Sequence, residues 1–217
     1  ENSELKSMVA DAVAPELIGN SAVMRGIRQS IEKIALTSSR VLVSGPSGSG
    51  KELAARCIHS KSTRKDERFV VANCARLASE RVDAELFGSE SLQSHRRVVG
   101  LFEQAHQGTL YFDEICDLPV DTQGKIVRAV NEQRFRRVGG STEVVVDVRV
   151  ISASSRDLAA EMSAGRLRED LYYRLGVGPL TMPPLVQRRE DRPLLAKHFT
   201  AVVAKRLGVL PFKLGDE

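Results

Sequence analysis

One segment of this sequence has the residue types needed to cradle a phosphate. Residues Gly45-Pro46-Ser47-Gly48-Ser49-Gly50-Lys51 fit the pattern G-x-x-x-x-G-K and follow a short apolar run. Glycines let backbone N–H groups turn toward a phosphate, and a helix that begins there adds the positive end of its dipole. Lys51 would bring a charge to the β- and γ-phosphates of a nucleotide. The segment therefore predicts a phosphate-binding loop.

The residue after this lysine departs from the general pattern. Glu52 stands where such loops carry the Ser or Thr whose hydroxyl binds Mg²⁺. We therefore expect a magnesium ion to rely on a carboxylate elsewhere, on the nucleotide and on water. The departure counts against small GTPases and most kinases of this fold.

Two adjacent acids end a second apolar run. Asp113 and Glu114 follow Leu110-Tyr111-Phe112, and burying the end of such a strand is costly unless a cation neutralises its carboxylates. Beside a phosphate-binding loop, Asp113 would hold Mg²⁺ through water and Glu114 would polarise the attacking water. The alternative is a solvated strand end.

Arginines in a charged stretch further along could act on the same phosphate. Arg168 and Arg174 lie within a segment that reads as a helix. A guanidinium that reaches a γ-phosphate in the transition state is worth roughly 10³ to 10⁵ in rate. Composition alone favours ordinary surface residues here.

Alternating strands and helices must position these residues. Apolar and β-branched runs predict strands over residues 40–44, 69–71, 110–112, 144–152 and 177–180. Helical patterns begin at residue 21 and cover residues 52–60, 122–133, 158–165 and 168–175. Residues 135–138 and the turn at 139–141 read as the other arm of a hairpin with the fourth strand. The alternation predicts a parallel sheet covered on both faces, and a helical pattern follows Pro183-Pro184.

Length and composition set limits on the class of protein. The 217 residues suffice for one domain and part of a second, and the net charge of +4 is too small to indicate nucleic-acid binding by itself. No apolar run reaches the roughly 18 residues that a membrane span needs. The three cysteines form no C-x-x-C pair and are predicted to be buried thiols in a reducing cytosol. The chain starts without Met, and we expect a fragment of a longer protein.

Taken together, these segments resemble the central AAA+ domain of bacterial enhancer-binding proteins, the sigma-54-dependent transcription activators. The resemblance runs from residue 17 to residue 191, and a phosphate loop that ends Gly-Lys-Glu is characteristic of that family. The segments that carry it are residues 17–21, 45–52, 69–74, 85–88, 108–115 and 168–175.

The resemblance implies a fold and a set of roles. The fold would be a three-layer α/β P-loop NTPase of the AAA+ type with a parallel sheet. Residues 1–15 would be a linker, 16–185 the nucleotide-binding core, and 186–217 the beginning of a truncated helical lid. The cofactors would be ATP and Mg²⁺, the latter on Asp113. The residues with implied roles are Ile18 and Gly19 beside the adenine, residues 45–52 around the phosphates, Asn73 restraining Glu114, Ser155 as polar sensor, and Arg168 and Arg174 reaching a neighbouring subunit's nucleotide.

The resemblance also implies partners. Such proteins act as rings, commonly hexamers, in the bacterial cytoplasm, with a receiver domain before this region and a DNA-binding helix-turn-helix after it. We expect no membrane partner.

Two features depart from the family pattern. Its activators carry a Gly-Ala-Phe-Thr-Gly-Ala loop that touches the sigma factor, whereas residues 89–99 are shorter and lack that motif. The sensor segment usually reads Ala-Thr-Asn, but Ala153-Ser154-Ser155 stands there, and a serine hydroxyl reaches less far than an asparagine amide.

Three hypotheses remain open at this point. The chain could be an ATPase module that controls oligomerisation without remodelling sigma-54 polymerase. It could be a conventional activator motor with a variant loop. It could also be a nucleotide-binding scaffold with little hydrolysis.

Overall fold

Residues 16–77, 80–91 and 97–209 are described by the structure, a computed structural model of the chain. The linker predicted over residues 1–15 lies outside this part, as do residues 92–96 of the shortened loop and residues 210–217 of the predicted lid. Over the described part, no helix combines the length and apolar character that a bilayer crossing requires.

A five-stranded parallel sheet organises the chain. Its strands are β1 (Val41–Ser44), β2 (Phe69–Asn73), β5 (Thr109–Asp113), β8 (Arg149–Ser154) and β9 (Gly178–Thr181), in the spatial order β2-β5-β8-β1-β9. β1 lies between β8 and β9, and β5 lies between β2 and β8. Because every pair is parallel, the carboxyl ends of the strands meet at one edge of the sheet, here called the carboxyl edge, and their amino ends meet at the opposite amino edge.

Helices connect these strands and cover both faces of the sheet. They are α1 (Ala22–Ala35), α2 (Lys51–Ser60), α3 (Val82–Phe87), α4 (Leu101–Gln104), α5 (Val120–Glu132), α6 (Leu158–Ser163), α7 (Glu169–Leu175) and α8 (Arg192–Leu207). α1 begins where the Ser21 hydroxyl accepts a hydrogen bond from the N–H of Met24 (3.3 Å), a standard N-cap. Met24 and Ile31 then bury the apolar side that the sequence pattern predicts.

Alternation along β5 divides the interior into two clusters. Leu110 and Phe112 pack on one face of the sheet with residues of α3, α4 and α5, while Tyr111 packs on the other with α1 and α2. Successive strand residues point to opposite faces, so both faces bury apolar surface. The predicted three-layer α/β arrangement is confirmed.

The prediction of one strand over residues 144–152 is wrong. The segment forms two strands, β7 (Glu143–Val145) and β8. β7 pairs with β6 (Arg134–Arg136) in a two-stranded ribbon outside the main sheet. Between them the N–H groups of Val146 and Val148 bind the carbonyl and side-chain oxygens of Gln133 (both 2.8 Å). Gln133 thus binds the backbone N–H groups at the point where the chain leaves the two-stranded ribbon and enters the main sheet. β-branched residues alone therefore do not produce a continuous strand.

A second ribbon holds the ends of the shortened loop. β3 (Ser89–Glu90) pairs antiparallel with β4 (Arg97–Val98), and Glu90 N–H binds the carbonyl of Val138 beside β6 (2.9 Å). Buried Arg137 binds the Glu103 carboxylate through two nitrogens (2.8 and 2.7 Å) and ties the two ribbons to α4.

Candidate functional site

The phosphate loop joins β1 to α2 at the carboxyl edge. Gly45, Gly48 and Gly50 have φ values of 144°, 74° and 96°, which favour glycine. A Cβ on Gly45 would also lie 2.6 Å from the Met182 carbonyl oxygen. α2 starts at Lys51 directly after this turn, so its N-terminal N–H groups and dipole stand at the loop.

Lys51 is buried and points back into the loop. Its side chain is 6% exposed, and Nζ donates to the carbonyl oxygens of Gly45 (3.1 Å) and Pro46 (3.3 Å). The same Nζ lies 3.3 Å from Oε1 of Glu114. The phosphate-loop cation and the second of the paired acids, predicted from separate motifs, are therefore in contact.

Glu114 is held from two sides in an unusual backbone conformation. Its second oxygen, Oε2, accepts a hydrogen bond from the backbone N–H of Ser155 (2.8 Å). The residue has φ 55° and ψ 60°, a left-handed conformation that costs a non-glycine residue free energy. The carboxylate of this left-handed residue contacts Lys51, and Ser155 binds it through its backbone N–H instead of its hydroxyl.

Asp113 and Asn73 lie side by side at the same edge. They are register partners in the pairing of β2 with β5, and Asp113 Oδ1 accepts a hydrogen bond from the Tyr111 hydroxyl (3.0 Å). Burial and the Asp113 charge raise the pKa of Tyr111, so this hydroxyl stays a neutral donor. Glu114 contacts Lys51 and Ser155, while Asn73 stands beside Asp113.

Glu52, the residue after Lys51, forms a local ion pair on α2. Its carboxylate accepts a hydrogen bond from Arg56 (3.0 Å), one helical turn later on α2, and its side chain is half exposed. The residue that replaces the usual hydroxyl therefore pairs locally along the helix.

A cleft of about 920 Å³ opens beside the loop. Its walls come from the segment before α1, from the loop, and from the chain around α8; they include Ile18, residues 48–50, Leu185 and Phe199. This volume lies within the range of small-molecule and cofactor sites. Ile18, predicted to lie beside a nucleotide base, shares the cleft with the phosphate loop.

Two buried polar atoms beside the loop have no hydrogen-bond partner among the described residues. They are Oγ of Ser49 and Nε of Arg188. Arg188, also buried, donates from another nitrogen to the Ser49 carbonyl (3.1 Å). Unpaired buried donors are costly, and a phosphate group in the loop would supply acceptors.

The segment that carries Ile18 and Gly19 is fixed by an aspartate that sequence reasoning missed. Asp191 is fully buried; its Oδ1 accepts from the N–H groups of Asn20 (2.6 Å) and Ser21 (2.8 Å), and its Oδ2 from the Ser21 hydroxyl (2.7 Å). A Cβ on Gly19 would lie 2.6 Å from this carboxylate. The sequence contained a signal for this aspartate, because residues 188–191 (Arg-Arg-Glu-Asp) form the last segment of the family resemblance.

The two predicted arginine fingers lie apart from the Lys51–Glu114 pair. Arg168 precedes α7, and its guanidinium binds both oxygens of Asp170 (2.9 and 2.8 Å). Arg174 is exposed in the last turn of α7, where its charge lowers the pKa of Arg40 after the larger effect of burial. Both side chains reach the surface.

Most of the chain matches a known protein family. The family model described as the sigma-54 interaction domain matches residues 17–181, and the chain belongs to this family. Its fold is that of the P-loop AAA+ domains.

Among individual proteins, the chain is 46% identical over 201 residues to the nitrogen assimilation regulatory protein NtrX of Azorhizobium caulinodans, covering 93% of this chain and 44% of that protein. It is 46% identical to the response regulator protein PilR of Pseudomonas aeruginosa, covering 92% and 46%. The crystal structure of NtrX from Brucella abortus in complex with ATP superposes with a TM-score of 0.89 at 45% identity, covering 100% of this chain and 47% of that one. The chain thus spans less than half the length of these relatives.

Proposed function

We propose that this chain binds ATP and hydrolyses it as the nucleotide-dependent module of a two-component transcriptional regulator. The contact of Lys51 with Glu114 beside a cleft of about 920 Å³ carries the proposal. The ATP complex of the similar NtrX supports it. Residues 45–52 would surround the phosphates, and Ile18 and Gly19 would lie beside the adenine.

Labelled ATP titrated against this chain tests binding. We expect saturable binding that Lys51→Ala removes, because Lys51 supplies the loop's side-chain charge. Lys65→Ala changes an exposed lysine outside the site and serves as the matched control. Saturating ATP that leaves the folded chain unliganded would overturn the proposal.

The residues at the carboxyl edge fit a magnesium ion held mainly by nucleotide and water. Within the described ranges, no cluster of three or more His, Cys, Asp or Glu side chains could cage a metal ion. Mg²⁺ is usually bound through one or two carboxylates plus substrate phosphates, and Asp113 offers one. The ion would neutralise charge on the phosphates when bound.

Hydrolysis would require Glu114 to exchange partners. Lys51 Nζ is shared between loop carbonyls and Glu114. A triphosphate would compete for this ammonium group and release the carboxylate to accept a proton from water. We assign Asn73 the role of restraining Glu114, and Ser155 that of linking it to β8 through its N–H. A nucleotide-binding scaffold with little hydrolysis is the alternative, and turnover by the full-length protein decides between them.

We infer that the complete site forms between subunits of a ring, a hexamer when active. Arg168 and Arg174 are exposed and lie away from the chain's own Lys51–Glu114 pair, as residues acting on a neighbour must. In the full-length protein, Glu114→Gln and Arg168→Gln subunits should each be inactive, because each lacks a group needed at every interface. Mixed together they should regain activity, since some interfaces then combine an intact Glu114 with an intact Arg168. Absence of recovery, with mixed rings verified by mass, would argue against a shared site.

The region outside this chain would supply the regulation. We propose a receiver domain before it, a DNA-binding helix-turn-helix after it, and a cytoplasmic location in a bacterium. Within the chain, we propose residues 1–15 as linker, 16–185 as core and 186–217 as the start of the lid. PilR is named a response regulator, which supports this organisation.

We propose further that the regulator does not remodel sigma-54 polymerase. Residues 89–99 lack the Gly-Ala-Phe-Thr-Gly-Ala motif. The family match favours the opposite view, a conventional motor with a variant loop. Sigma-54 capture by the full-length protein, trapped with a transition-state mimic of ATP, separates the two views. Capture, or activation at a promoter that it binds, would defeat our proposal.

A further inference from the structure

A second charged cavity lies at the amino edge of the sheet. It has a volume of about 480 Å³ and is bordered by the amino ends of β1 and β8. Three arginines from separate parts of the chain, Arg40, Arg64 and Arg149, line it together with Ser38 and Ser39. The phosphate loop is at the opposite edge, so this cavity is separate from the nucleotide site.

Arg149 is the most deeply buried of the three. It is 3% exposed, and two of its nitrogens donate to the carbonyl oxygens of Ile34 (2.9 Å) and Ala35 (3.3 Å) at the end of α1. Its Nε has no hydrogen-bond partner among the residues the structure describes. Burial lowers the pKa of Arg149, and the nearby charge of Arg64 lowers it further. The buried Arg149 guanidinium thus lies near the charge of Arg64 and has one N–H donor without a partner among the described residues.

With Arg40 and Arg64 included, the cavity has a net positive charge. Arg40 donates to the carbonyl of Val130 at the end of α5 (2.8 Å). Arg64 pairs with Asp147 (2.6 Å), whose side chain is 64% exposed. Three guanidinium groups therefore face one carboxylate. Two helix C-termini add roughly half a negative charge each, which still leaves about one positive charge.

Arg137, another buried arginine, has carboxylate partners. Its side chain is 6% exposed, and it pairs with Glu103 (2.7 Å) and Glu90 (3.5 Å). Over the described ranges, neither Arg40 nor Arg149 forms an ion pair with a carboxylate. Buried charges are normally paired, so Arg40 and Arg149 lack the kind of partner that Arg137 has.

We propose that the cavity formed by Arg40, Arg64 and Arg149 is an anion site that binds inorganic phosphate. A guanidinium group presents planar pairs of donors that match phosphate oxygens. The serine hydroxyls at the rim add neutral donors. The site is independent of the proposed ATPase activity.

Titration with inorganic phosphate tests the site in this chain. Binding is followed through the NMR signals of the arginine Nε–H groups and through thermal unfolding. All titrations use the Lys51→Ala background, so that the nucleotide loop does not contribute, and sodium chloride at matched ionic strength is the reference. We expect saturable phosphate binding that chloride does not reproduce.

Substitutions assign the binding to this cavity. Arg40→Gln with Arg64→Gln should weaken phosphate binding about tenfold or more, since charge-assisted hydrogen bonds are lost. Arg134→Gln with Arg136→Gln removes the same charge from an exposed ribbon and should leave the affinity unchanged. If the first pair impairs folding, Arg64→Gln alone, which leaves the helix ends bound, should still weaken binding several-fold.

Three results would overturn the proposal. They are equal responses to phosphate and chloride, equal weakening by the two double variants, and the absence of saturable phosphate binding in the Lys51→Ala background. Each leaves the ATP-binding test unaffected, so failure here is distinguishable from failure of the proposed function.

Discussion

The two edges of the sheet differ in the partners of their charged side chains. At the carboxyl edge, Lys51 and Glu114 neutralise each other at 3.3 Å beside the start of α2. At the amino edge, Arg40 and Arg149 bind the carbonyl groups that end α5 and α1. The carboxyl edge holds an ion pair, and the amino edge holds, beside the Arg64–Asp147 pair, two arginines that have no carboxylate partner in the part of the chain that the structure describes.

The polarity of the helices accounts for this difference. A helix that follows a parallel strand begins at the carboxyl edge and ends at the amino edge, so the two edges collect opposite ends of the helix dipoles. Positive helix ends favour phosphate and acidic groups, whereas negative ends favour arginine. A ligand at the carboxyl edge must therefore displace an existing partner, while an anion at the amino edge would meet unused donors.

The largest effect is expected from breaking the balanced pair at the carboxyl edge. Glu114→Gln in the full-length protein should lower ATP turnover by about 10² to 10⁴, the usual contribution of a general base. Nucleotide affinity should be kept or raised, because Lys51 loses its competing carboxylate. Phosphate release and nucleotide binding, measured on the same preparation, check both expectations.

Glu132→Gln provides the matched control for this variant. Glu132 is half exposed and pairs with Arg134 on the surface, so turnover should not change. A Glu114→Gln protein that still hydrolyses ATP at the normal rate would show that the carboxylate is only a structural partner of Lys51.

A smaller effect, a loss of stability, is expected at Asp191, the buried aspartate that binds the segment after Gly19. Asp191→Asn should destabilise the fold by about 2 kcal/mol, because three donors lose a charged acceptor. Burial opposes the charge of Asp191, but hydrogen bonds from Ser21 and Asn20 outweigh it and lower the pKa. The stabilisation is therefore complete above the ordinary aspartate pKa of about 3.9 and is lost as the pH falls through the lower folded-state pKa.

Urea unfolding from about pH 7 to about pH 3 checks both parts of this prediction. The difference between wild type and Asp191→Asn should stay constant down to about pH 4 and then shrink. Asp66→Asn, an exposed change of the same kind, should alter the unfolding free energy by less than about 0.5 kcal/mol. A constant difference at every pH would mean that the aspartate is not charged in the folded protein.

Much of the fold could be predicted because its signals are local. The apolar run ending in glycines specified β1 and the loop, and the spacing of Met24 and Ile31 specified α1. The sequence did not reveal the break between β7 and β8, because Val144 and Val150 have the same β-branched character. The Gln133 side chain bridges that break, and such a contact depends on the folded geometry.

The residues of the candidate site likewise include some that the sequence predicted and some that it did not. Lys51 and Glu114 were predicted from separate motifs, since each motif carries its own chemistry. Asp191 was missed because its partners lie about 170 residues earlier in the chain. The amino-edge arginines were missed because Arg40, Arg64 and Arg149 belong to no shared motif and meet only through the order of the strands.

A smaller effect is expected from removing the buried arginine at the amino edge. Arg149→Gln in phosphate-free buffer should cost about 1 kcal/mol of unfolding free energy, because hydrogen bonds to the end of α1 are lost while no carboxylate is left unpaired. In the Lys51→Ala background, Arg149→Gln should also abolish the stabilisation that rises with phosphate concentration. Arg134→Gln is the exposed control. A phosphate response that survives Arg149→Gln would reduce this arginine to a helix cap.

The smallest effect is expected at Ser155, where the roles of the side chain and of the backbone N–H can be separated. The side chain differs from the usual asparagine, but Glu114 is bound by the backbone N–H of Ser155. Ser155→Ala keeps that N–H, so turnover of the full-length protein should change by less than about fivefold, the value of one neutral hydrogen bond. Ser155→Pro lacks the N–H and should lose much more activity while nucleotide binding remains. If alanine is as damaging as proline, the serine hydroxyl is the sensing group, and Glu114 changes its partner during the reaction.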